Sequence, residues 1–515
     1  MNEEEKIDLR KFGNSFDEIS SNFRWSFHDP VKVIDNNEGV ALIDDDKEVQ
    51  YSELRVKSNG VAKILQDLGV KKGDVVGVLL PQSPMLPIGI LGVYKLGGVA
   101  LSLSTLFGTD ALTYRLKHSE AKVVITDDDG KRKLKDANVN IPVITEVNES
   151  TANFETFSPE PTTPTQLFYT SGTTGEPKGV LLPRSWILGH LPAWQIAYEF
   201  DGRKFITPSE WAWIGGLGDL LLSTLYYGRT VVVYSRKGRL DVMDLIHVIQ
   251  KHKVDRAFLV PTVVRMLRGE EELSKAELPL RAVMSGGEPV TPDLVEWSMK
   301  RGFHLNQIYG QTEVNLVICS SISLGVYKPG YLGRPCPGHF VSIMENGNPS
   351  RSGEIVVKLP DPSAMIGYFK KPEETSSKMR NGWVFTGDIG ELSNDGYISF
   401  LGRNDDIIKS SGYRISPIEV ESVISSHPAV KTCSVVGVED PLRGVIIAAF
   451  VVLKEGYDPS LELENSIKNH VKGKLAYYAY PRIVKFVDTL PTTVTGKIRR
   501  KELRELIRRE LNESS

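Results

Sequence analysis

With 515 residues, 41% of them hydrophobic and 25% charged, the chain has the composition of an ordinary globular protein and the length for about three average domains or two large ones. Its 62 basic and 65 acidic residues leave a net charge of −3, which gives no bulk electrostatic reason to expect nucleic acid as a partner. Cys319, Cys336 and Cys433 are scattered, odd in number and without metal spacing, which argues against a disulfide framework and for a reducing compartment. The start, MNEEEKIDLRK, is acidic and lacks an apolar core, so it does not read as a secretory signal, and a cytoplasmic location is expected.

Taken in chain order, Val75–Leu80 reads as a strand, Met85–Leu96 as a helix, Val99–Leu103 as a strand, Asp110–Ser119 as a helix and Lys122–Thr126 as a strand. The apolar run inside this unit is broken by Pro81, Pro84, Pro87 and Lys95 and fails as a membrane span, so no membrane insertion is expected. The acidic runs Asp44–Asp46 and Asp127–Asp129 each follow an apolar segment and read as turns rather than cation sites. The nine histidines are dispersed, and His247 and His252 sit off the spacing that shares a helix face, so no zinc site is expected.

Tyr169–Gly179, reading YTSGTTGEPKG, lies between the apolar segments 166–168 and 180–182, a strand–loop–strand frame. Glycines permit close backbone approach. Successive amides in such a turn form an anion-binding nest, to which hydroxyls and Lys178 add donors and charge. Polyphosphate binding is the chemistry this serves; an ordinary Ser/Thr/Gly surface loop is the bland alternative. The spacing is not that of a Walker A loop.

A second alternation follows at Thr230–Tyr234, Leu240–His252, Arg256–Val260 and the helix after Pro261, which argues for α/β layers on mostly parallel sheets. Ligands then sit beyond the carboxyl ends of strands, where SGGEP (285–289) and YGQTE (309–313) fall. A break comes at 402–405. Ser416-Pro417-Ile418-Glu419 is a capping box with Pro at the first helical position. Strands at Thr432–Val438 and Ile446–Val452, a helix near Leu461–Leu475, a strand at Arg482–Val487 and a charged, mostly solvated helix near Lys501–Leu511 complete a small α+β unit.

The phosphate loop, SGGEP, YGQTE, TGD (386–388), GRNDDIIKSSGYRI (402–415) and PTTVTGKIRR (491–500) stand in the order of the acyl-adenylate-forming superfamily, which the chain resembles from about Asp35 onward. HPAV at His427, EDPLRG at Glu439 and YPR at Tyr480 look most like the medium-chain acyl-CoA synthetases. The resemblance implies a large α/β body of layered sheets and helices, residues 1–404, and a small mobile α+β domain, residues 405–515. It also implies an ATP-dependent acyl-CoA synthetase that converts a small-molecule carboxylic acid, larger than acetate and medium-chain or branched, through an acyl-AMP to acyl-CoA, AMP and pyrophosphate. ATP, Mg²⁺ and coenzyme A are the implied cofactor set. Rival readings keep adenylation with a carrier-protein thiol as acceptor, or drop catalysis for nucleotide-binding regulation. The oligomeric state is not legible.

By the same resemblance Lys497 contacts the acid carboxylate and the α-phosphate. Thr312 and Glu313 lie at the phosphates, with Glu313 holding Mg²⁺. Thr170, Ser171, Gly172, Thr173, Thr174 and Lys178 bind phosphate. Gly287, Glu288 and Pro289 form the adenine-pocket backbone, Tyr309 stacks on adenine beside Gln311, and Asp388 and Arg403 take the ribose. Arg414 matches a phosphate-side contact. Gly310 stands where acetate-specific relatives carry tryptophan, so empty apolar space and an acid larger than acetate are expected; Trp213 and Ile214 line that pocket, though Trp213 reads equally as a core residue. Ser411, Gly412, Lys409 and Lys472 match coenzyme A contacts, and Asp405 the hinge.

Overall fold

The computed structural model describes residues 6–147, 153–170, 176–235, 240–270, 278–410, 413–440, 444–475, 479–492 and 498–513. The βαβαβ expectation is met almost residue for residue: strand Val75–Leu79, helix Met85–Leu96, strand Val99–Leu103, helix Thr109–Ser119 and strand Val123–Thr126. All five residues of Val75–Leu79 and of Val99–Leu103 are buried, as strands covered on both faces by helices must be. Gly97, at φ 83°, closes the first helix in the left-handed conformation that glycine adopts without cost.

Among the described residues two large sheets carry the first compact unit, Met1–Val341 with Val356–Phe385. The nine-stranded sheet is parallel through Val40–Asp44, Thr230–Val232, Lys204–Ile206, Arg256–Phe258, Ala282–Ser285 and His304–Gln311. Antiparallel strands, Lys47–Gln50 at one end and Val314–Cys319 with Arg334–Pro335 at the other, close its edges. The seven-stranded sheet has Val75–Leu79 near its middle and ends, on one side, in Pro164–Thr170, Lys178–Pro183 and Gly367–Tyr368. Its core is the aliphatic face of Leu79, Leu101, Leu103, Leu116 and Val124.

The second unit is Ser342–Ile355 with Thr386–Ser515. The division falls within the strands Val341–Glu345, Ser352–Lys358 and Trp383–Glu391, whereas the sequence suggested a boundary at 404/405. Gly402–Arg403 pairs back onto Ile389 and Asp388, tying that stretch to the chain that follows. Antiparallel Val430–Asp440 and Gly444–Leu453, with Ile483–Phe486 parallel to the latter, form its small sheet. Helix Pro417–Ser425 starts as the capping box requires, the Ser416 hydroxyl accepting from the Glu419 amide at 3.3 Å.

The last helix, Arg500–Glu513, is mostly solvated on its described side chains, as expected, and Leu503 and Ile507, four residues apart and each 3% exposed, seat it on Val436, Val438, Ala448 and Phe450. One expectation is corrected: the run Asp127–Asp129 is no simple turn. Asp127 caps helix Asp128–Asp136 by accepting from the Gly130 amide at 2.7 Å. No described helix is long and apolar enough to cross a membrane.

Candidate active site

The site residues of the first unit are brought together by strand pairing. Thr170 and Lys178 face one another in register across the antiparallel pair whose connection is the glycine-rich loop. Beside Lys178–Pro183 runs Gly367–Tyr368, with Tyr368 opposite Val180. This seats the Lys178 ammonium 5.1 Å from the centre of the Tyr368 ring. On its other side the Tyr368 phenol donates to Glu313 Oε1 at 2.6 Å. Two main-chain contacts fix Glu313 to the same segment: its carbonyl accepts from the Met365 amide at 2.8 Å, and Val314 bridges Ala364. Tyr368 therefore joins the loop lysine to the YGQTE glutamate.

Glu313 is half-buried, and its only described side-chain bond goes to one oxygen. An ionised carboxylate with an oxygen to spare is a suitable hard ligand for Mg²⁺, which takes one or two carboxylates and fills the rest of its shell with phosphate oxygens and water. Its neighbour Thr312 is half-buried, and Gln311 accepts from Lys378 at 3.0 Å. Tyr309 is 8% exposed on the strand His304–Gln311.

At SGGEP, Gly287 has φ 83°, and a Cβ on Gly286 would lie 2.7 Å from the Ile308 carbonyl oxygen, so both glycines are required by the backbone path. Glu288 is held by its side chain: Arg265 and the Thr262 hydroxyl each reach it at 2.7 Å. Pro289 follows that turn before helix Pro292–Lys300.

The surroundings of Gly310 differ from the expected empty apolar space. A Cβ there would lie 2.5 Å from the Leu316 nitrogen and 2.7 Å from Asn315 Cα, inside a register shift between Tyr309 and Gln311. Polar Asn315 takes up the direction a side chain would use. Trp213 is half-buried and meets Phe107 edge-on at 5.7 Å; Ile214 beside it is also half-buried and leads into a π-helical segment, Gly215–Leu222.

In the second unit Asp388, 3% exposed, sits opposite Arg403 in register and accepts from its guanidinium at 3.0 Å. Asp405 is exposed in the turn that follows and has no side-chain partner among the described residues, while Asp406 takes Arg504 at 2.9 Å. Asn404, Ile407, Ser416 and Glu419 help line a cavity of about 130 Å³ next to that turn. Burial, then the nearby Glu391, pushes the Glu419 carboxyl up. Lys409 and Arg414 pair through their backbones in a short hairpin. Lys472 stacks 4.2 Å from the Tyr480 ring, which Arg482 also covers at 4.3 Å. Lys497, Ser171, Gly172, Thr173, Thr174, Ser411 and Gly412, and the side chains of Lys409 and Arg414, lie outside the described residues.

Sequence reasoning missed Tyr368, whose only signal is its place in an edge strand far from the motifs. It also missed a buried set, His190, Asp219 and Asn315, that no spacing connects.

Tyr368 thus stands between Lys178 and Glu313 on strand ends of a layered α/β body. The chain belongs to the AMP-binding enzyme family: residues 33–369 match that family and residues 419–497 its C-terminal domain. An uncharacterized acyl-CoA ligase of Bacillus subtilis is 34% identical over 88% of this chain and 90% of its own length. The mitochondrial acyl-coenzyme A synthetase ACSM3 of Rattus norvegicus is 32% identical over 89% of this chain and 84% of its own. The solved anthranilate CoA ligase AuaEII, in complex with anthranoyl-AMP, superposes with a TM-score of 0.85 at 25% identity, covering 96% of this chain and 99% of that one. The resemblance to acyl-CoA synthetases, medium-chain ones among them, and the α/β body with a smaller C-terminal domain are borne out. The protein is an AMP-forming acid–thiol ligase that uses ATP, Mg²⁺ and coenzyme A.

Proposed function

We propose that this ligase activates a carboxylic acid larger than acetate, medium-chain or branched, and passes the acyl group from AMP to coenzyme A. The observation that carries the residue assignments is the Lys178–Tyr368–Glu313 arrangement, which gathers one cation and one carboxylate around the strand ends that hold the glycine-rich loop. A carboxylate is a poor nucleophile toward a phosphate that is itself anionic. The enzyme must therefore neutralise phosphate charge and align the reactants.

In this reading the loop from Thr170 to Lys178 grips the phosphates, and Tyr368 holds Glu313 in one rotamer so that its second oxygen stays available. Mg²⁺, when bound, screens the phosphate charge. Tyr309 packs on adenine above the backbone of Gly287, Glu288 and Pro289. Asp388, oriented by Arg403, accepts the ribose hydroxyls. Lys497 contacts the acid carboxylate and the α-phosphate for adenylation. Asp405 is the pivot by which a second face, with Lys409, Ser411, Gly412 and Lys472, serves thioester formation. The unpartnered exposed side chain of Asp405 and the adjoining cavity support that role. The size of the acid rests on the resemblance at Gly310, since that glycine faces Asn315 and the Leu316 amide.

Pyrophosphate release from ATP, measured over acids from acetate to decanoate with straight, branched and aromatic members, tests this reading. Release that requires an acid, and acyl-CoA that requires coenzyme A, is the expected result. Acyl transfer to a carrier-protein thiol in preference to coenzyme A, or ATP turnover indifferent to acid, would overturn it.

A further inference from the structure

Helix Thr109–Ser119 carries Tyr114 and His118 one turn apart, and each reaches a different end of the glycine-rich loop. His118 Nδ1 lies 2.7 Å from the hydroxyl of Tyr169, which precedes Thr170 on the strand entering the loop. The Tyr114 hydroxyl lies 3.1 Å from the Pro177 carbonyl oxygen and 3.2 Å from Glu176 Oε2, just before Lys178 opens the strand leaving it. The two rings stack on each other, 5.5 Å between centres and 14° from parallel, so neither hydrogen bond is made by a side chain standing alone.

The direction of each bond follows from its chemistry. Burial raises the Tyr169 phenol, so it keeps its hydrogen and donates to Nδ1 of a neutral imidazole. Burial, then Lys370 and Lys371, lowers the His118 ring, in keeping with that state. Room for the contact comes from Gly179, opposite Tyr169 in register: a Cβ there would lie 3.3 Å from Tyr169 Cζ and 3.2 Å from Phe369 Cβ. Arg115, 8% exposed, adds a second hold on the entering strand, its guanidinium lying 5.6 Å from the Tyr169 ring centre and 4.0 Å from that of Phe107. At the leaving end, the Pro177 carbonyl and the Lys178 nitrogen belong to one rigid peptide plane, so a bond to that oxygen fixes the plane from which Lys178 starts. The same helix reaches the strand of Tyr368 as well, the His118 carbonyl accepting from Lys370 at 3.1 Å.

We propose that Tyr114 and His118 are positioning residues for ATP: they clamp the two ends of the glycine-rich loop and so set Thr170 and Lys178 for the polyphosphate. The inference rests on the reading that this loop grips the phosphates. Neither residue touches the nucleotide in this account; His118 acts through Tyr169 and Tyr114 through Pro177. A loop held at both ends before ATP arrives loses less freedom on binding, so the clamp appears as affinity for the polyphosphate. Folding of the helix is anchored elsewhere, by Leu112 and Leu116, 0% and 1% exposed in the sheet core. Loss of a clamp bond therefore falls on the loop before it falls on the fold. Thioester formation is spared, because the pyrophosphate has left by then.

The test measures ATP–pyrophosphate exchange in Tyr114→Phe, His118→Leu and His118→Asn. The first keeps the ring and its stack and deletes only the hydroxyl. The second deletes the acceptor for Tyr169, and the third supplies an amide oxygen near the place of Nδ1. KM for ATP and for pyrophosphate should rise about three- to tenfold in Tyr114→Phe and His118→Leu. His118→Asn should recover part of that rise. KM for the acid, inhibition by AMP and thioester formation from supplied acyl-AMP should stay at wild-type values. Should the His118 variants fail to fold, Tyr114→Phe decides alone. An unchanged KM for ATP and pyrophosphate in Tyr114→Phe overturns the clamp and leaves the phosphate-loop reading standing, as does a rise matched by KM for the acid, which marks general loosening. A wild-type protein that shows no acid-dependent exchange overturns both.

Discussion

Tyr368 and Glu313, fifty-five positions apart, share a 2.6 Å hydrogen bond that puts the YGQTE glutamate beside the strand carrying Lys178. The bond leaves one carboxylate oxygen open and fixes where it points.

Removing the phenol tests that relationship. Hydrogen bonds to charged groups contribute about 1.5–3 kcal/mol, so Tyr368→Phe should lower kcat/KM for ATP by about one to two orders of magnitude. The ring, and with it the Lys178 contact, survives. The Mg²⁺ concentration for half-maximal rate should rise in the same variant, measured by acid-dependent pyrophosphate release. An unchanged Mg²⁺ dependence would mean that Tyr368 does not position Glu313.

Gly310 carries a different expectation from the one its sequence suggests. A tryptophan there must displace Asn315 Cα and the Leu316 amide before its ring meets any ligand. Overpacking of this kind costs about 1–3 kcal/mol, so Gly310→Trp should lower the thermal midpoint, and Gly310→Ala should already show part of the loss. A variant that keeps the wild-type midpoint and shifts preference to acetate would show that the hairpin opens freely.

His339 and Asp361 predict an acid-sensitive core. Burial raises the Asp361 carboxyl, but His339 at 2.7 Å and the Ser363 hydroxyl at 2.7 Å outweigh it and hold it below the ordinary aspartate value of 3.8. A carboxyl depressed in the folded state adds stability above its unfolded pKa and loses it as pH falls through the folded one. Unfolding free energy from denaturant titrations should therefore drop below pH 3.8 in the wild type. Asp361→Asn should start lower at neutral pH and lose that part of the acid dependence. Parallel profiles for the two proteins would refute the assignment.

Much of this was legible in the sequence where period and punctuation agree. The helix Met85–Leu96 and strand Val99–Leu103 were readable because glycines and apolar runs mark both ends, and Ser416–Glu419 fixed a helix start through its cap. The π-helical Gly215–Leu222 was not, since three glycines and four leucines around Asp219 carry no helical punctuation. The last helix shows its charged, mostly solvated surface in the sequence, but the two-residue apolar seam that seats it, Leu503 and Ile507, is hidden among charges. Motifs point to the residues proposed to touch phosphate; they could not point to Tyr368, or to a cluster assembled from positions 190, 219 and 315, because tertiary packing alone joins them.

Arg500 joins Glu421 with both carboxylate oxygens at 2.7 Å, and Asp406 lies 3.6 Å away. Burial raises the Glu421 carboxyl even against this guanidinium. The pair is half-buried, so breaking it from one side costs less than the about 3–5 kcal/mol of a fully buried pair, and Arg500→Ala should lower the unfolding free energy in a denaturant melt by about 1–3 kcal/mol. Arg500→Lys, a point charge without the planar fork, should recover only part. Full stability in Arg500→Ala would show that the pair contributes nothing net.

Asp405→Pro fixes φ near −65° and constrains Asn404 before it, so a pivot at this turn would be locked. Acid-dependent pyrophosphate exchange should persist while thioester formation falls sharply. A folded variant with an undiminished thioester rate would place the pivot elsewhere.

The central claim is that one chain runs two half-reactions and that Lys497 serves only the first. Lys497→Ala, assayed on each half-reaction separately, tests it most directly. Acid-dependent pyrophosphate exchange should fall at least about a hundredfold, roughly 3 kcal/mol, while thioester formation from supplied acyl-AMP and coenzyme A stays near the wild-type rate. Equal loss of both half-reactions, or exchange that survives, would contradict the account.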